Sequence, residues 1–143
     1  MRYLILAAHP DDEVLGCGGS MAKWTRIGHE VHVLIMAEGT TSRDRQRDRD
    51  SRKEELSQLA EAAHKAAAIL GARSVELLDF PDNRMDSVDL LDVVKVVEER
   101  IEKLQPEVVV THHAGDLNID HRIVYQAVVT ACRPGQTVKR LLS

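Results

Sequence analysis

His9, Asp11 and Asp12 stand directly after an apolar run, Tyr3 to Ala8, in the stretch AAHPDDEV. A second group, THHAGDLNIDH, follows another apolar run more than a hundred residues later and carries His112, His113, Asp116, Asn118, Asp120 and His121. Histidines and carboxylates without paired cysteine thiolates suit a borderline divalent cation such as zinc. A catalytic zinc site keeps three protein ligands and one open position. His9 and Asp12 are three residues apart, so one turn could aim both at a single point, and His121 would bring a third ligand from the other group. Water on such a cation has its pKa lowered towards about 7, which makes a hydroxide nucleophile at neutral pH. A free carboxylate must take the proton. Asp11 sits between two proposed ligands and cannot easily bind the same cation in the same way. Asp120, beside His121, could accept a hydrogen bond from a ring nitrogen of a site histidine and fix its orientation.

Each residue also has a plainer use. Asp12 alone could be the N-cap of a following helix. A single histidine after a strand is commonly a solvated loop residue, and His64, within an alanine-rich helical stretch, reads as structural. Gly16, Gly18 and Gly19 would let a helix lie close to a sheet. They do not match GxGxxG, and no P-loop lysine follows, so a nucleotide-phosphate cradle is not supported.

The elements that must position these groups alternate in type. Strand patterns cover Tyr3–Ala8, Glu30–Met36, Ser74–Leu78 and residues 107–113, and Thr137–Leu142 could begin a fifth. Helical spacing covers Glu13–Ile27, about Arg52–Leu70, Val88–Leu104 and His121–Cys132, with Gly28 and Gly71 as stops. Strand–helix alternation implies parallel strands joined by right-handed crossovers, hence an α/β fold with a three-layer sheet sandwich. In such a sheet ligands bind at the carboxyl ends of the strands. The polar groups fall there: His9 to Asp12, then Glu38 to Arg43, then Asp79 to Asp86, then His112 to His121. The charge that ends the first apolar run therefore belongs to a cleft.

Composition narrows the classes. A length of 143 residues fits one domain, and 43% hydrophobic with 29% charged residues is a globular balance. A formal charge of −4 argues against a nucleic-acid footprint, and aspartates interleave with the arginines of residues 43–52. No apolar run approaches the ~20 residues of a transmembrane span, and Asp11 and Asp12 interrupt the only signal-like start. A cytoplasmic location is the expectation. Cys17 and Cys132 read as separate buried thiols. An open sheet edge could pair with a second copy of the chain.

AHPDDE followed by VLGCGGSMAKW, then AEGTTSR, AAILG, PDNRMDS and THHAGDLNIDH, resembles in content and order the PIG-L / LmbE-like family of zinc-dependent N-deacetylases. The resemblance implies a Rossmann-like fold and hydrolysis of the acetamide of an N-acetylglucosamine-type sugar or sugar conjugate. It implies Zn2+ on His9, Asp12 and His121, with Fe2+ or Co2+ also accommodated by such ligands, and Asp11 as general base. It places Arg43, and the loop carrying Arg84 and Asp86, among sugar contacts. Many family members have a histidine where this chain has Asn118. An asparagine can donate to an oxyanion but supplies no proton, so His112 or His113 would take over; His113 or Asn118 is then the oxyanion donor. Family members also continue for several elements, so residues 1–143 are expected to be the N-terminal portion of a single deacetylase domain. Two other readings stay open: a catalytically weak fragment that binds metal or sugar, and a hydrolase of a non-sugar N-acyl amide.

Overall fold

The computed structural model describes residues 1–135 and 137–143. Five strands, β1 (Arg2–Ala7), β2 (Glu30–Ala37), β3 (Ser74–Phe80), β4 (Val108–Val110) and β5 (Arg140–Leu142), form one sheet in the order β3-β2-β1-β4-β5. Every pairing is parallel. The helices are α1 (Asp12–Arg26), α2 (Lys53–Ile69), α3 (Leu90–Leu104) and α4 (Ile119–Ala131), with single 3-10 turns at Thr41–Arg43 and Met85–Ser87. This is the α/β sandwich expected from the alternation of patterns.

β1 is buried on both faces, which is why its sequence is continuously apolar rather than alternating. Leu4 and Leu6 face one core with Val93, Val97 and Ile101 of α3 and Val124 and Val128 of α4. Tyr3, Ile5 and Ala7 face the other, with Met21 of α1 and Ala63 of α2. The Tyr3 ring stacks on Trp24 at 4.2 Å between centroids. With few aromatics available, branched aliphatics dominate the first core, with Val93, Val94, Val97 and Ile101 coming from α3, and α2 fully buries only the small residues Ala63 and Ala67.

Several boundaries differ from the sequence expectation. α1 breaks at Cys17 (φ −144°, ψ 15°) among its glycines. β3 runs on to Phe80, whose carbonyl accepts from Glu38 N–H at 3.1 Å. β4 pairs over only three residues, so His112 and His113 lie beyond the ladder. α4 starts at Ile119 rather than His121, because Asn118 caps it: Asn118 Oδ1 accepts from Asp120 N–H at 2.9 Å and His121 N–H at 3.2 Å. Gly71, after α2, has φ +75°, and a Cβ there would meet Thr25 Oγ1 at 3.0 Å. Only glycine serves both the left-handed turn and the close approach.

Candidate metal centre

β1 and β4 are hydrogen-bonded neighbours, so the turn after β1 and the loop after β4 must meet at the carboxyl edge of the sheet. There, His9, Asp12 and His121 offer one ligand atom each within 4.8 Å of one another. Asp12 Oδ2 lies 3.3 Å from His9 Nδ1 and 3.1 Å from His121 Nε2. With metal–ligand arms of about 2.0–2.1 Å, the edge of a zinc tetrahedron measures about 3.3–3.4 Å. The spacing and the N/N/O donor set therefore fit a divalent cation.

Asp120 is fully buried. Its Oδ2 lies 2.9 Å from His9 Nε2 and accepts from Asn83 N–H at 2.6 Å, while Oδ1 accepts from Met85 N–H at 3.0 Å. The carboxylate thus joins three elements: α4, the turn after β1 and the loop after β3. Asp82, also buried, has Oδ1 at 3.4 Å from His9 Nε2, and its Oδ2 accepts from Ser42 N–H at 3.0 Å. Burial by itself would lower the His9 pKa, but hydrogen bonds to Asp12 and Asp120 prevail and push it up to about 10. Burial would raise the Asp12 carboxyl; bonds from the His9 ring and backbone, with His121 and His112 nearby, hold it below the usual range instead.

Asp11 is the N-cap residue of α1 but caps nothing with its side chain, and its backbone is at φ 117°, ψ −28°. Its N–H donates to Glu13 Oε2 at 3.1 Å, and its carbonyl accepts from Val14 and Leu15 N–H. Asp12 is thus the first helical residue and not the cap. The Asp11 carboxyl is raised above the usual range by burial and by the Asp12 charge, and Glu13 is raised mainly by burial. A cleft of about 460 Å³ opens beside Asp12, His112 and His113, walled by Cys17, Trp24 and Leu142. His113 is exposed on its rim. His112 is more enclosed: its Nε2 accepts from Ala8 N–H at 2.8 Å, and burial together with His121 lowers its pKa to about 4.

The expected substrate contacts are more dispersed. Asn118 does not present a free amide: Oδ1 is the α4 cap, and Nδ2 donates to Asn83 Oδ1 at 2.9 Å. Arg43 is largely exposed and lies 3.7 Å from Glu55 of α2. Arg84 Nη2 donates to the carbonyls of Asp44 and Arg45, bracing the loop after β2. Asp86 is exposed on its 3-10 turn. Residue reading gave no role to Asp82, Glu13 or Asp116. Asp116 Oδ2 lies 2.9 Å from His121 Nδ1. A signal for it was present, since an Asp two residues before an N-cap Asn is placed to bond the cap's backbone N–H.

The chain is 33% identical over 135 residues to the uncharacterized deacetylase YaiS of Escherichia coli, covering 91% of this chain and 67% of that protein. It is 29% identical over 133 residues to the diacetylchitobiose deacetylase of Thermococcus kodakarensis, covering 83% of this chain and 48% of that protein. The crystal structure of the 4-carboxy-2-hydroxymuconate hydratase GalB from Pseudomonas putida superposes with a TM-score of 0.77 at 28% identity, over 91% of this chain and 55% of that one. The chain thus spans about half to two thirds of the length of these relatives. The family model described as GlcNAc-PI de-N-acetylase matches residues 4–132, nearly the whole chain, and with the relatives' sequences it shows that this protein belongs to the PIG-L family.

Proposed function

We propose that this chain carries the metal centre of an N-deacetylase that hydrolyses the acetamide of an N-acetylglucosamine-type sugar or sugar conjugate. The observation that supports it best is the approach of Asp12 Oδ2 to His9 Nδ1 at 3.3 Å and to His121 Nε2 at 3.1 Å, the edge lengths of a cation site. The deacetylase names of two relatives in the same family supply the reaction class. Zn2+ is the proposed cation, and Fe2+ or Co2+ suit the same donors. When bound, such a cation supplies polarisation of the acyl oxygen and acidification of water.

The chain's own residues do the rest. Asp11, its carboxyl raised above the usual range by burial and by the Asp12 charge, takes the proton of the attacking water and returns it to the departing amine nitrogen. Asp120 keeps the hydrogen on His9 Nε2, so that Nδ1 faces the cation. His113, on the cleft rim, donates to the oxyanion that forms on the acyl carbon. Arg43 and Asp86, both exposed, are the proposed sugar contacts, while Arg84 braces the loop after β2. Among the described residues no helix is long and apolar enough to cross a membrane.

The test is hydrolysis of N,N′-diacetylchitobiose and a panel of N-acyl amines by zinc-loaded protein. Asp11→Asn is expected to lose about 10²–10⁴-fold in kcat with its zinc content intact. Asp11→Asn turning over at the wild-type rate would remove the base from this scheme. Turnover of non-sugar amides alone would move the substrate, and zinc binding without turnover would leave a binding fragment. The GalB likeness favours a second reading, in which the same groups deliver water to a carbon–carbon double bond. An unsaturated dicarboxylate in the panel separates the two.

A further inference from the structure

His9 and His121 turn opposite nitrogens towards Asp12, Nδ1 in one and Nε2 in the other. Something must choose the nitrogen in each ring. For His9 the neighbouring group is the buried Asp120. For His121 the geometry points to Asp116 as the positioning residue: its carboxylate fixes His121 in the Nδ1–H form and so leaves the Nε2 lone pair for the cation. This inference rests on the metal reading above.

Both oxygens of Asp116 are engaged. Oδ2 lies 2.9 Å from His121 Nδ1, and Oδ1 accepts from Asn118 N–H at 2.9 Å. Asn118 in turn caps α4 through the N–H groups of Asp120 and His121, so acceptor and ring are built on one six-residue segment. A carboxylate has no hydrogen to give and only accepts, and both Asp116 oxygens sit at hydrogen-bond distance from a nitrogen, His121 Nδ1 and Asn118 N. The ring nitrogen facing it therefore carries the hydrogen. The ring plane is set separately: His112 stacks on His121 with centroids 3.8 Å apart and 18° between planes. His112 Nε2 accepts from Ala8 N–H, which holds this ring in place against His121.

Asp116 can be tested without dismantling the fold, because its side chain is 36% exposed whereas that of Asp120 is 0%. Zinc dissociation constants would be measured by chelator competition for wild type, Asp116→Ala and Asp116→Asn. Ring-nitrogen NMR of the zinc-loaded proteins would report the His121 tautomer. Asp116→Ala is expected to bind zinc about 10–100-fold more weakly. The metal-free melting temperature should stay within about 2 °C of wild type, as for an exposed substitution. Asp116→Asn, whose amide oxygen can still accept from Nδ1–H, should recover part of the loss and keep the wild-type ring signature. Affinity within about twofold of wild type in Asp116→Ala, or zinc found on His121 Nδ1 in wild type, would overturn the assignment. If Asp116→Ala does not fold, Asp116→Asn decides by the same two readouts. Wild-type protein that binds no zinc would sink the metal reading itself, a result distinct from equal binding by wild type and variant.

Discussion

Asp11 offers a way to weigh backbone strain apart from charge. Its φ of 117° is a conformation that residues with a Cβ rarely adopt, and such outliers cost of order 1–3 kcal/mol. Asp11→Ala removes the carboxyl and the repulsion from Asp12 but keeps the strain. Asp11→Gly removes all three. The Glu13 acceptor for the residue 11 N–H and the turn bonds from Val14 and Leu15 N–H are the same in both variants. Glycine loosens the unfolded chain by about 0.4–1 kcal/mol relative to alanine. The glycine variant should therefore be the more stable by about 1–2 kcal/mol, or about 3–7 °C in melting temperature for a chain of this size. Metal-free protein melted by calorimetry or circular dichroism measures it directly. If Asp11→Ala melts at or above Asp11→Gly, the strain is not there and the argument for a stored conformation at this turn fails. Both variants should lack hydrolytic activity, so a gain in stability would accompany the loss of function.

Three further outcomes follow from the same geometry. Glu38 is buried; burial would raise its carboxyl, but Arg47, Thr41 and Arg49 hold it below the usual carboxylate value. Its contribution is present above pH about 4.5 and is lost as pH falls through the lower folded value. Arg47→Ala should cost about 2 kcal/mol at pH 7 and measurably less at pH 3 in urea melts. Asp120→Ala, which strips an acceptor from Asn83 N–H, Met85 N–H and the His9 ring, should cost about 3–5 kcal/mol, with the loss read from urea unfolding midpoints. Zinc at a hundred times its dissociation constant should stabilise wild type by about 2.7 kcal/mol, and the accompanying rise in melting temperature should vanish in His121→Ala.

The sequence carried the architecture because its signals were local and consistent. Continuous apolar runs marked strands buried on both sides, and 3.6-residue spacing marked α3, whose Val93, Val94, Val97 and Ile101 are buried. It also carried the meeting of His9, Asp12 and His121, since parallel topology sends strand ends to one edge. What it did not carry was the fate of individual polar atoms. Asn118 was read as a donor towards substrate, yet the first turn of a helix had prior need of its carbonyl and Asn83 took its amide nitrogen. The family resemblance places Arg84 among sugar contacts, and it does not foretell that its Nη2 donates to the backbone carbonyls of Asp44 and Arg45. Such competition is settled by three-dimensional neighbours, which neither periodicity nor spacing reports. The break in α1 at Cys17 is similar: glycines on either side permit it, but nothing in their order fixes where it falls.

The central place of β1 has a kinetic consequence. One flank is satisfied by β2, at residues 30–35, while the other waits for residues 108–110. Closing the short loop is fast and closing the long one slow. Without β1 the sheet would part into two separate ribbons, β3–β2 and β4–β5, sharing no backbone bond. His9 and His121 can meet only once that later seam has zipped, and the seam is three residues long. Amide hydrogen exchange should therefore be faster in β4 than in β2, and fraying there would disperse the ligands while most of the molecule stayed folded.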